Sequence, residues 1–126
     1  MHSSASGPSP SCSATGRPGW WDDLLAAARD AGEDVGSGLR LAETYGRHLP
    51  IPGRGQTELR WGALAAVAAA DLTAARILEA HCDALAILAE DGQPQPGGTW
   101  GVFAAEASGS RLEARLAGET WTLQGT

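Results

Sequence analysis

The chain has 126 residues, 43% of them hydrophobic, with a formal net charge of −6 and a pI near 4.9. Its nine basic residues are scattered arginines, which excludes a basic groove for nucleic acid, and no apolar run approaches the roughly 20 residues that span a bilayer. The two Cys form no CxxC pair, and none of the three His has a metal-ligating residue three or four positions on. We therefore expect no disulfide framework, no metal site and a cytoplasmic location.

Residues 1–19 are rich in Ser, Pro and Gly and predict a disordered leader, because they carry too little apolar surface to offset the entropy of ordering. Residues 20–31 predict an amphipathic helix, with Gly32 as its C-cap. A second short helix is predicted over 39–48, and the Pro- and Gly-containing residues 49–55 predict a loop. Folded structure is therefore expected from the first helix onward.

Two longer helices follow, because apolar residues recur at every third or fourth position between residues 57 and 90. Thr57 is the predicted N-cap of the first of them, and Asp71 is the predicted N-cap of the second. Both helices carry many alanines, so they are expected to approach their neighbours closely in a bundle. Residues 91–99 contain Pro and Gly repeatedly and predict a hinge, which gives a helical domain over 20–90.

After the hinge the hydrophobic period changes from helical to alternating. Trp100, Val102 and Ala104 predict a first strand, and residues 112–123 predict a hairpin with one buried face. A sheet over 100–126 has room for about three strands, which is near the minimum for independent stability. We therefore expect an α+β chain, in which a helical bundle segment precedes a partial antiparallel sheet. That sheet would start a β-barrel domain, and the chain would be the front part of a larger protein.

The helical block carries a family resemblance. Its residues Arg60-Trp61, Asp71-Leu72, 79–81 and 83–85 are similar to the last helices of the N-terminal domain of acyl-CoA dehydrogenases. Beyond the hinge, residues 98–106 look like the first strand of the middle β domain of that family.

The last residues continue this resemblance. Residues 120–126 resemble the strand that leads into the second flavin-contacting segment of the family. The resemblance covers residues 53–126 and extends more weakly back to Trp20, and the helical block, hinge and hairpin come in the order of the family.

The resemblance implies an FAD-dependent oxidoreductase that acts on the CH–CH bond of acyl-CoA thioesters. In the family a carboxylate removes a proton alpha to the thioester carbonyl, and a hydride passes from the beta carbon to the flavin N5. The resemblance places that carboxylate in a C-terminal helical domain that this sequence does not include. We therefore assign no catalytic residue, and we expect a truncated protein that is inactive as an isolated chain.

The resemblance also implies which residues contact FAD. The backbone at Val102, Ala104 and Ala105 would lie along the flavin, and Gly109 and Ser110 would meet the pyrophosphate or the substrate edge. Ala105 stands where the family has a Thr whose hydroxyl contacts the isoalloxazine. That side-chain hydrogen bond is therefore lost, and only backbone contacts would remain.

Other reactive residue types favour structural roles. Glu106 has no partner carboxylate for acid–base work, so we expect a structural or solvated side chain. His81 lies beside an apolar stripe and is expected to be half-buried and hydrogen-bonded. Cys82 is expected in the core, because no base adjoins it. Trp100 and Trp121 are expected to pack the sheet rather than to cage a cofactor.

Two alternatives stay open beside the dehydrogenase hypothesis. The chain could be a non-catalytic interaction module that docks on a related dehydrogenase subunit through its Ala-rich helices and an open hairpin edge, since unpaired strand edges are templates for pairing. It could also be a small acidic protein that acts alone and whose likeness is accidental. Oligomeric state tests the first alternative, and a cooperative melt of residues 20–126 favours the second.

Overall fold

The structure is a computed structural model that describes residues 16–103 and 111–125. Helices and an antiparallel hairpin occupy separate stretches of the chain, so the α+β prediction is confirmed. None of the helices in these two ranges is long and apolar enough to cross a membrane. The elements are α1 (Trp20–Ala31), α2 (Val35–Tyr45), a 3-10 turn (Gly46–His48), α3 (Thr57–Ala70), α4 (Leu72–Glu90), β1 (Glu113–Ala117) and β2 (Thr120–Gln124).

The first helix has the predicted bounds, and the second begins earlier than predicted. Gly32 ends α1 with φ 57°, a left-handed conformation that glycine adopts without steric cost. Asp34 then caps α2, because its Oδ2 accepts the backbone N–H of Ser37 at 2.7 Å. The prediction of a helix over 39–48 was therefore wrong at its start: the cap, rather than the apolar pattern, sets the first residue.

Asp71 joins two parts of the helical body, and its predicted capping role is confirmed. Its Oδ1 accepts the backbone N–H of Ala74 at 2.7 Å in the first turn of α4. Its Oδ2 accepts the backbone N–H of Glu33 at 2.7 Å, in the turn between α1 and α2. The matching prediction for Thr57 was wrong, because Thr57 is the first residue of α3 and Gln56 precedes it without a side-chain cap.

The core lies between the four helices, and α2 packs most extensively on α4. Leu24, Val67 and Leu78 are its largest fully buried side chains. Gly38 lets the two helices approach closely: a Cβ at that position would lie 2.7 Å from Cδ1 of Ile77. A Cβ there would also lie 3.6 Å from Cα of Ala74, so this close approach rests on a glycine of α2 that the prediction about alanines did not include.

The hairpin contradicts the prediction of a buried face. Ala114 pairs with Leu123 and Leu116 pairs with Trp121, so these four side chains share one face of the two-stranded sheet. Every residue of β1 and β2 is nevertheless exposed, and Trp121 is 63% exposed. The reason is that no second layer covers this face in the described part of the chain.

Candidate functional site

Most of the predicted flavin contacts fall outside the described residues. Ala104, Ala105, Gly109 and Ser110 do so, as does Glu106.

Val102 is described, and it is exposed in a stretch that belongs to no strand. The predicted first strand is therefore wrong over residues 100–103, and Trp100 packs against no sheet there. A binding site normally buries most of the surface of its ligand. The exposed backbone beside Val102 would contact a flavin on one side only. Of the predicted flavin contacts, the described residues thus contain Val102 alone.

The structure instead brings the residues after the hinge onto the helices. We call residues 97–103 the junction segment. The backbone N–H of Trp100 donates to Nδ1 of His81 at 3.0 Å, and the backbone N–H of Gly98 donates to Oε1 of Glu43 at 3.1 Å. The indole Nε1 of Trp100 also donates to the carbonyl of Gly97 at 3.1 Å. Two side chains from α2 and α4 thus hold the backbone of this segment.

His81 is more buried than predicted, at 2% exposure. Its ring lies against Gly46, where a Cβ would come within 2.4 Å of Cδ2, so only glycine leaves room for the imidazole. Because Nδ1 accepts a hydrogen bond, the neutral ring carries its proton on Nε2. Burial is the largest cause and lowers the pKa of His81; the nearby Glu43 carboxylate opposes this change and the Arg47 guanidinium reinforces it. The Trp100 N–H donates to the Nδ1 lone pair, which only the neutral ring offers.

A small polar cavity lies beside these contacts. Its volume is about 130 Å³, and His81, Glu43 and Arg47 line it together with Gln95. An imidazole, a carboxylate and a guanidinium therefore meet at one place on the helical body. This cluster has no counterpart in the sequence pattern, because it joins residues that lie far apart along the chain.

A mostly apolar groove of about 440 Å³ also adjoins the junction segment. Its lining comes from the helices, with Leu39, Arg76, Ile77 and Ala80, and from the junction segment, with Trp100 and Phe103. Phe103 is 96% exposed, so the groove is open to solvent along this edge. It is a contact surface rather than an enclosed ligand site.

Cys82 lies in the core, as predicted, and its thiol is not activated. Burial raises its pKa to about 11, and its Sγ lies 3.7 Å from the carbonyl oxygen of Gly46. A thiol with this pKa is almost entirely protonated at neutral pH, which excludes it as a nucleophile. The described ranges also contain no cluster of three His, Cys, Asp or Glu side chains that would hold a metal ion.

Comparisons of the chain with protein-family models, curated proteins and solved structures found no match. The resemblance to acyl-CoA dehydrogenases therefore rests on the quoted residues of the helical block, the hinge and the hairpin.

Sequence reasoning did not identify Glu43, Gly46 and Arg47 as residues that lie around His81 and the junction segment. All three lie in a stretch that the sequence marks only as a short helix. The available signal was His81, whose burial calls for a polar partner and a small neighbour. That signal does not say where along the chain these partners lie.

Proposed function

We propose that the chain supplies the helical domain and part of the β domain of an FAD-dependent protein of the acyl-CoA dehydrogenase type. We further propose that it works in the cytoplasm and is inactive toward acyl-CoA by itself. The order of helical body, Pro- and Gly-rich hinge and antiparallel hairpin supports this proposal, since the resemblance requires the same order.

The observation that carries the proposal is the uncovered apolar face of the hairpin. Leu112, Leu116, Trp121 and Leu123 are all more than half exposed. An isolated two-stranded hairpin is marginally stable in water, and burial of an apolar face against a further layer is the usual remedy. In the proposed protein, the remaining strands of the β domain would provide that layer.

Two of the described carboxylates, Asp34 and Asp71, have a structural role. The pKa values of Asp71 and Asp34 are lowered, because both accept hydrogen bonds from the first turn of a helix. A general base near neutral pH needs a raised carboxyl pKa and access to substrate. Both groups instead serve as helix caps. By the resemblance, the base would lie in a C-terminal helical domain.

A second feature of the hairpin, its unpaired strand edges, supports the second candidate, a non-catalytic interaction module. Both strands have an unpaired edge in the described part of the chain, and such edges invite pairing with another sheet. The partner would be a related dehydrogenase subunit. In that case the chain would bind the subunit without providing flavin contacts of its own.

Flavin and substrate assays test the main proposal. The purified chain would be mixed with FAD, alone and together with a separately expressed segment holding the remaining β strands and the C-terminal domain of an acyl-CoA dehydrogenase. Flavin absorbance and acyl-CoA-dependent dye reduction would be measured. We expect neither flavin retention nor dye reduction with the chain alone, and flavin retention in the mixture. Dye reduction by the chain alone would overturn the proposed inactivity.

A pair of hairpin variants sharpens this test. Trp121→Glu places a charge on the apolar face, whereas Thr122→Glu places the same charge on the opposite face. We expect Trp121→Glu to abolish complex formation and Thr122→Glu to leave it intact, as measured by size-exclusion chromatography with light scattering. A complex that retains no flavin would favour the interaction module. A monomer that melts cooperatively and binds neither flavin nor the partner segment would favour an accidental likeness.

A further inference from the structure

We propose that His81 and Glu43 form a pH-dependent latch, which holds the junction segment on the helical body and releases it when the imidazole is protonated. The latch goes beyond the proposed flavin function, and none of its groups belongs to the predicted flavin contacts.

The latch consists of two hydrogen bonds that reach across the fold. His81 on α4 accepts the N–H of Trp100, and Glu43 on α2 accepts the N–H of Gly98. The two donors are separated by a single residue, so the two acceptors hold one short piece of backbone. The bond to His81 is partly buried, whereas the bond to Glu43 is exposed. Water therefore replaces the hydrogen bond to His81 less readily than the hydrogen bond to Glu43.

Protonation reverses the hydrogen-bonding character of Nδ1. The neutral Nδ1 accepts the Trp100 N–H, but an imidazolium donates from both nitrogens and has no lone pair for that bond. Two N–H groups would then face each other across the present 3.0 Å. The segment must move away, or the imidazolium must lose its proton.

The charges around the ring come from the helical side of the junction. Glu43 on α2 and Arg47 in the 3-10 turn are the charged groups that act on His81. Residues 92–103 contain no Asp, Glu, His, Lys or Arg. The segment therefore has no ionisable side chain of its own, and its pH response must come from the helices.

The sign of the pH dependence follows from the burial of His81. In the latched state the pKa of the ring lies below its ordinary value of 6.5, mainly because burial disfavours the cation. In the released state water reaches the ring and the pKa returns toward that value. The latch is therefore fully closed above pH 6.5, and it weakens as the pH falls from there through the lowered pKa. Release would free the backbone of Gly98 and Trp100 from its attachment to α2 and α4.

Amide hydrogen exchange of the full chain tests the latch directly. Protection of the Trp100 and Gly98 amides would be measured between pH 5 and 8, with correction for the intrinsic pH dependence of exchange. We expect Trp100 protection to fall at least tenfold at low pH, with a midpoint below 6.5, while the core amide of Leu78 stays protected. Constant Trp100 protection over this range would overturn the proposal. So would a parallel loss at Leu78, since that reports global unfolding.

Two charge variants that should shift the pH midpoint of Trp100 protection in opposite directions provide the control. Glu43→Gln keeps an oxygen for the Gly98 N–H but removes the charge that favours the imidazolium, so the midpoint should move down. Arg47→Gln removes a charge that disfavours the imidazolium, so the midpoint should move up. Unchanged midpoints in both variants would overturn the latch. Neither change touches the core.

A substitution at the histidine itself adds a second readout. His81→Asn offers an amide oxygen near the position of Nδ1 and does not titrate. We expect Trp100 protection in this variant to become independent of pH between 5 and 8. A pH-dependent loss of protection that persists in the folded variant would contradict the role of His81. If circular dichroism shows that the variant does not fold, the two charge variants decide the question.

Discussion

The four helices bury their apolar side chains against one another, whereas the hairpin leaves its apolar face in solvent. Leu24 and Leu78 are completely buried between helices, while Leu116 and Trp121 pair across the hairpin and stay exposed. Both regions follow their sequence periodicity, helical in one case and alternating in the other. The difference shows that hydrophobic periodicity is enough to form a helix or a strand. Only packing against a second layer makes that helix or strand part of a core.

The helical body and the hairpin should contribute unequally to the stability of the fold. Burial of apolar surface contributes about 25 cal/mol for each Å² removed from water, so almost all of this stabilisation falls on the helical body. The hairpin is held by its cross-strand hydrogen bonds and pairs, each of which contributes less than about 1 kcal/mol. Substitutions in the two regions should therefore differ strongly in their effect on the free energy of unfolding.

The largest effect is expected for Leu78→Ala, compared with Leu116→Ala. Leu78 is completely buried, so its truncation should lower the free energy of unfolding by about 2–5 kcal/mol through lost transfer energy and a cavity. Leu116 is exposed, so the same change should cost less than about 0.5 kcal/mol. Urea denaturation followed by far-UV circular dichroism measures both. Equal effects would mean that the hairpin belongs to the same cooperative core.

The next effect concerns the close contact between His81 and Gly46. Gly46→Ala would place a Cβ 2.4 Å from the imidazole, and we expect overpacking to cost about 1–3 kcal/mol. Gly38→Ala is the matched change, because its Cβ would meet the mobile Cδ1 end of Ile77 instead of a rigid ring. It should cost less in the same urea assay. A larger cost at Gly38 would show that the contact between Gly38 and Ile77 is more rigid than the contact between Gly46 and His81.

Asp71→Ala should have an intermediate effect with a characteristic pH dependence. The change removes the acceptor for the N–H groups of Ala74 and Glu33, and we expect the melting temperature to fall by about 4–8 °C. These bonds lower the pKa of Asp71 below its usual 3.8, so their contribution is complete above that value and is lost as the pH falls through the lowered pKa.

The difference between the wild type and the Asp71→Ala variant should therefore shrink below pH 4. Calorimetry at pH 7 and at several acidic values would measure it. A difference that persists unchanged under acidic conditions would mean that packing, rather than the carboxylate, carries the effect.

The smallest effect is expected at an exposed ion pair. Arg76 and Glu79 form an ion pair one helical turn apart on α4, and both side chains are exposed to solvent. Arg76→Ala should change the free energy of unfolding by less than about 0.5 kcal/mol, and added salt should reduce even that difference. Urea denaturation at low and high salt provides the measurement. A cost above 1 kcal/mol would indicate that the aliphatic part of Arg76 packs on α4.

Local signals account for the parts of the fold that could be predicted. The spacing of apolar residues gives α1 its bounds, Gly32 supplies the left-handed residue after it, and Asp71 caps α4. The alternation over 112–123 likewise predicts the hairpin, whose register the structure supplies. In each case the deciding contacts lie within a few residues, so the pattern carries the information.

The candidate site was much less predictable. Val102 was predicted as a strand residue with flavin contact, but it lies in irregular exposed backbone. His81 was recognised as structural, yet its acceptor role toward Trp100 and its contact with Gly46 depend on partners 19 and 35 positions away in the chain. No periodicity reports such a meeting.

The sequence by itself thus determined where the helical stretches and the hairpin lie, together with the caps Gly32 and Asp71, because their stabilising interactions are local. Tertiary structure decided which side chains are buried, where the junction segment binds, and that the hairpin face stays uncovered. These outcomes depend on whether distant surfaces meet, and the same amphipathic pattern serves a covered face and an exposed one equally well.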